Sequence, residues 1–171
     1  MPNLYIFLEG NDDERFFKTI LEKKFKQKYE VIQFVKYAQM KEEKVNNYIK
    51  SIKSMKHDIL FVCDIDNYPC KTSKKDYYVK KLNNINKNNI FIVIKEIESW
   101  YLAGLDEKSS EFLKIKHFKD TNEITKEKLQ SIIPQKYDSK VDFMQEVLKK
   151  FNIEIALDKN ESFRYFYGKN F

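Results

Sequence analysis

Residues 4–13 read LYIFLEGNDD: five apolar residues, then Glu9, Gly10, Asn11 and the acids Asp12 and Asp13. No polar side chain interrupts the apolar run, the pattern of a strand buried on both faces of a parallel sheet. A carboxylate directly after such a strand stands at the sheet edge where open α/β folds place their ligands. Gly10 is one of only three glycines in 171 residues, and it is expected to permit a tight turn out of the strand. Asp12, Asp13 and Glu14 fall in the first turn of the helix that follows, where acids cap free N–H groups and complement the helix dipole. Asp12 also lies near enough to the turn to touch a site at that edge.

The same reading extends along the chain. Strands are expected at Leu4–Leu8, Val31–Val35, Ile59–Cys63 and Ile90–Ile94. They alternate with helices at Asp12–Lys28, Lys41–Met55 and Ser73–Ile85, marked by apolar residues at helical spacing. This order points to right-handed βαβ units and an α/β domain with a parallel sheet of about four strands between helices. After Ile94 the pattern turns helical, with helices expected at Glu96–Leu105, Lys126–Ile133, Lys140–Phe151 and Glu161–Tyr167. The whole chain, 1–171, reads as a single domain with a core of about 1–105 and a helical C-terminal cap of about 106–171.

Composition narrows the function classes. The chain is 42% hydrophobic and 34% charged, which excludes a disordered or disulfide-dense protein. Its net charge of +6 comes almost wholly from lysine, since Arg15 and Arg164 are the only arginines. A basic surface favours a polyanion such as nucleic acid, DNA or RNA, over a membrane. Cys63 and Cys70 are too few for a structural zinc site. The N-terminal apolar run is cut short by Glu9, so no signal peptide or membrane span is read and a cytoplasmic location is expected.

A second apolar run ends in acids at Asp64-Ile65-Asp66. Two apart in extended backbone, the Asp64 and Asp66 side chains are expected on one side of the strand, and neighbouring strands would bring Glu9 to them. Oxygen ligands of this kind suit Mg²⁺ or Mn²⁺, which need only one or two carboxylates beside water and substrate phosphate. Lys71, Lys74 and Lys75 follow the acidic loop and are candidates to meet a phosphate backbone. Arg164 is a candidate for bidentate phosphate contact.

Strand-Glu9-Gly10-x-Asp12-Asp13 followed by strand-Asp64-x-Asp66 resembles the TOPRIM domain of topoisomerases, bacterial primases and OLD-type nucleases, over roughly Leu4 to Ile94. Glu96-Ile-Glu98-Ser-Trp100-Tyr-Leu-Ala103 and Ser162-Phe163-Arg164-Tyr-Phe166 resemble segments of small stand-alone TOPRIM-like proteins, some from phage-defence loci. The resemblance implies a Rossmann-like three-layer fold and Mg²⁺-dependent nuclease chemistry. Glu9 would be the acid/base or a metal ligand, Asp64 and Asp66 would hold the metal, and Glu96 and Glu98 would add ligands or shape the site. The acid that topoisomerases place directly after their DxD pair is absent, and Asn67 stands near its position.

Two other readings account for part of the pattern. One is a non-catalytic binding or regulatory module on a degenerate TOPRIM core, working with a partner ATPase. The other is a flavodoxin-like or receiver-like phosphoryl-transfer fold, which leaves Glu9 and the Glu96–Trp100 segment without roles. Glu98 reads either as a site residue or as a surface acid, and Trp100 and Phe163 as core. No dinucleotide or P-loop glycine pattern is present, and Cys70-Lys71-Thr72 lacks the glycines that cradle phosphate.

Overall fold

The computed structural model describes residues 2–171. Its sheet holds β1 (Leu4–Leu8), β2 (Ile32–Lys36), β3 (Asp58–Asp64) and β4 (Ile90–Val93), in the order β2-β1-β3-β4. All four strands run parallel, with Phe7 of β1 level with Val35 on one side and Phe61 on the other. β1 and β4 are buried along their whole length, as their unbroken apolar runs require, whereas β2 is a half-exposed edge strand.

The chain forms two compact units, the first ending at Ile92 and the second running from Val93 to Phe171. In the first unit α1 (Asn11–Phe16) passes through a π-helical turn (Phe17–Leu21) into α2 (Glu22–Phe25), then come α3 (Glu42–Ser54) and α4 (Lys71–Lys81). Phe17, Leu21 and Phe25 are spaced by four, a stripe that drifts around an α-helix and that the wider π turn keeps on one buried line. From β1 the chain steps outward to β2, then crosses back over β1 to β3 and on to β4. Right-handed crossovers therefore put α1 and α2 on one face of the sheet and α3 and α4 on the other. Val45, Ile49 and Ile52 of α3 and Tyr78 of α4 accordingly share one core cluster with Phe7, Phe61 and Cys63. The reversal of direction between β1 and β3 makes a topological switch point at their C-terminal ends.

The second unit is helical: α5 (Glu98–Ala103), α6 (Glu107–Leu113), α7 (Lys126–Ile132), α8 (Lys140–Lys149), α9 (Ile153–Lys159) and α10 (Glu161–Asn170). Two of these, α6 and α9, lie outside the helices expected from the sequence. Each is short, and each carries a side-chain N-cap, Asp106 on Ser109 N and Asn152 on Ile155 N, a signal present in the sequence. Trp100 is fully buried, with Phe163 and Phe166 at ring-centroid distances of 5.2 and 5.4 Å. Its Nε1 donates to Ser162 Oγ at 2.8 Å. The Trp100 and Ser162-Phe163 segments thus build the core of this unit.

A candidate carboxylate site at the switch point

Glu9 is the first residue after β1 and Asp64 the last of β3, so the two flank the switch point. Glu9 Oε1 accepts the backbone N–H of Asp64 at 3.0 Å and the Tyr37 hydroxyl at 3.2 Å. Tyr37, just past β2, was not singled out in the sequence. Burial pushes its phenol well above the ordinary value, with Cys63 and Glu9 adding to the effect, so Tyr37 stays a neutral donor.

Burial also raises Glu9 above the ordinary carboxylate value of 4.5, and the negative charge of Asp66 adds to it. The Asp64 N–H, the Tyr37 hydroxyl and the Lys74 ammonium pull the other way without cancelling the rise. A carboxyl shifted toward neutrality at the edge of a cleft is suited to exchange a proton.

Asp66 departs from the extended geometry read from the sequence. β3 ends at Asp64, and Asp66 takes φ +50, in the left-handed region that Asp tolerates better than most residues. The alternation that would align the Asp64 and Asp66 side chains therefore does not reach Asp66. Its carboxylate instead pairs with Lys74 Nζ. Lys74 and Tyr78, four apart on α4, face inward together, and the ammonium lies 4.7 Å from the Tyr68 ring centroid and 5.4 Å from that of Tyr78. Burial pulls this ammonium down, while its hydrogen bond and charge pairing with Asp66 more than restore it, so it remains charged. Lys74 is only 2% exposed, unlike the surface lysine expected for backbone contact. Lys71 is exposed, and Lys75 is half-buried with its ammonium 5.7 Å from the Phe91 ring centroid.

Gly10 does not make a glycine-only turn. Its φ of −149 is extended backbone open to any residue, and a Cβ there would meet Asp13 Oδ2 at an ordinary 3.8 Å. Gly10 is the N-cap of α1, and its N–H donates to Asp13 Oδ2 at 3.2 Å. Asp12 pairs with Arg15 at 2.6 Å, and Glu14 with Lys18 and Lys36, so in the first turn of α1 both acids are engaged in ion pairs.

Beside Glu9 and Asp66 opens a cleft of about 270 Å³, walled by Tyr37, Phe61 and Tyr78 with Lys81 at its rim. Glu96 and Glu98 belong to the second unit. Glu96 accepts the backbone N–H of Lys126 at 2.5 Å, and Glu98 pairs with Lys140 at 2.8 Å. Glu98 is buried, which overturns its reading as a surface acid. Arg164 spends its guanidinium on the Leu157 and Asp158 carbonyls at 2.6 and 3.2 Å, closing the end of α9.

Among the described residues no three His, Cys, Asp or Glu side chains are grouped to hold a metal ion. The donor set is nonetheless of the hard-oxygen kind, and Mg²⁺ takes as few as one or two carboxylates when a phosphate and waters supply the rest. The residues fit an ion completed by substrate rather than one caged by protein. Among the described residues no helix is long and apolar enough to cross a membrane. Comparison with family models, with curated proteins and with solved structures gives no match.

Proposed function

We propose that this chain is a TOPRIM-like protein that performs Mg²⁺- or Mn²⁺-dependent phosphodiester chemistry on nucleic acid, most simply as a nuclease. The observation that carries the reading is the bond from the Asp64 N–H to Glu9 across the β1–β3 switch point, which fixes two strand-end acids at one edge. Asp64 and Asp66 would hold the ion and Glu9 would take or return a proton, with Tyr37 fixing its orientation. A divalent ion bound there would polarise the phosphodiester and offset charge on its oxygens. Lys71 and Lys75, at the start of α4, would draw the backbone in. A role in phage defence and a cytoplasmic setting accompany the TOPRIM-like reading.

The test is cleavage of DNA and RNA by purified protein with Mg²⁺ or Mn²⁺. The expected result is metal-dependent cleavage that falls by about a hundredfold or more in Glu9→Gln and in Asp64→Asn. Absence of cleavage, or variants that act like the parent protein, would overturn it.

The pairing of Asp66 with Lys74, and the lack of a three-ligand group, favour a second reading: a binding or regulatory module working with a partner ATPase. Mn²⁺ that leaves the thermal midpoint unchanged, even with oligonucleotide present, would select it.

A further inference from the structure

Lys74 is the least expected residue at the site. It is 2% exposed, while the Asp66 side chain with which it pairs is 58% exposed. A surface ion pair has the opposite form, two flexible side chains meeting in water. Here the cation is the fixed partner. Its stem is packed, its ammonium sits against two tyrosine rings, and the exposed carboxylate pairs with it. The geometry is that of a built-in counter-ion.

Resting on the metal-binding role given above to Asp64 and Asp66, we propose that Lys74 occupies the cation position at Asp66, and that this carboxylate takes a divalent ion only after Lys74 has let it go. A unit positive charge beside a divalent ion is repulsive, so the Lys74 ammonium on Asp66 weakens the hold of this carboxylate on an ion. A phosphate brought by substrate gives the displaced ammonium a second anion. Ion and phosphate therefore bind cooperatively, and the ion alone binds weakly. Lys74 is thus a positioning residue: it sets when the ion can enter.

The test is a Mn²⁺ titration of the full chain, followed by electron paramagnetic resonance, with no nucleic acid present. Lys74→Met should bind Mn²⁺ at least about tenfold more tightly than the parent chain. Lys74→Arg, which keeps the charge, should bind as weakly as the parent. Lys81→Met removes an equal charge from the same helix and cleft rim, and should change affinity little. If Lys74→Met does not fold, Lys74→Gln serves in its place, with circular dichroism confirming the fold. Equal tightening by Lys81→Met, no tightening in either Lys74 variant, or tightening that survives in an added Asp66→Asn background would each overturn the proposal. Failure of the nuclease reading is distinct: tighter Mn²⁺ binding by Lys74→Met with no cleavage by any form would leave this inference standing.

Discussion

Glu9 Oε1 and the backbone N–H of Asp64 meet at 3.0 Å, joining the ends of two adjacent parallel strands that lie 55 positions apart in sequence. The bond has an energetic consequence, because it helps hold a carboxylate where burial and the Asp66 charge oppose its ionisation.

Because the folded chain raises the Glu9 pKa above 4.5, it keeps this proton to higher pH than the unfolded chain does. The stability tied to Glu9 is therefore fully present below about 4.5 and is lost as pH rises through the folded value. Glu9→Gln keeps an oxygen for the Asp64 N–H and the Tyr37 hydroxyl while removing the buried charge. We expect a higher thermal midpoint than the parent at neutral pH, with the difference closing below the carboxylate range. A lower midpoint at neutral pH would show that the ionised carboxylate stabilises the fold.

Tyr37→Phe removes the hydroxyl that donates to Glu9 at 3.2 Å and lowers its pKa. The Glu9 carboxyl should shift further upward. If Glu9 acts as the base, the acid limb of the cleavage pH profile should move to higher pH, with a loss of activity at neutral pH of about tenfold. An unmoved limb would assign that titration to another group.

How much of this was legible in the sequence follows from which forces are local. The unbroken apolar runs of β1, β3 and β4 announced buried parallel strands, and Glu9 and Asp64 were found because a strand end is a sequence position. Asp66 was misplaced because a positive φ one residue past Ile65 cancels the alternation rule, and nothing in Asp-Ile-Asp signals it. Lys74 could not be paired with Asp66 from sequence, since they stand eight positions apart across a loop and a helix start. Glu98 was ambiguous because the lysine that permits its burial lies 42 positions away. Short helices such as α6 carry too few apolar positions for periodicity to detect, and only the Asp106 cap marks it.

Gly10 offers a direct check on its corrected role. With φ at −149 and room for a Cβ, Gly10→Ser places a hydroxyl where it can accept a free N–H of the first turn of α1. We expect a gain of a few tenths of a kcal/mol in chemical denaturation, on the order expected for Ser over Gly at an N-cap. A loss above about 1 kcal/mol would restore a glycine-only backbone there.

Gly104 is the glycine that the structure does require. Its φ of −79 is unremarkable for any residue, but a Cβ would run into the ring of Phe151. Gly104→Ala should cost about 1–3 kcal/mol as the ring is displaced. The double variant Gly104→Ala with Phe151→Leu should recover part of that loss, and additive losses in a denaturation double-mutant cycle would rule out the clash as the cause.

Ser162 provides the sharpest test of the Trp100 and Ser162-Phe163 segments as a packing unit. Its Oγ accepts from Trp100 Nε1 at 2.8 Å and from Ile94 N at 3.2 Å, and donates to Asn160 Oδ1 at 2.9 Å. Asn160 in turn accepts from Phe163 N and donates to Ser99 and Thr121, so one hydroxyl ties α5 to the start of α10. Ser162→Ala removes the acceptor used by two buried or half-buried N–H groups at once, which should cost about 2–4 kcal/mol. Ser162→Thr keeps the hydroxyl but adds a methyl to a residue 2% exposed, so it should lose less than Ala if the hydrogen bonds dominate. Threonine as damaging as alanine, with the Trp100 fluorescence unchanged in both, would mean that close packing rather than this hydroxyl holds the segments together.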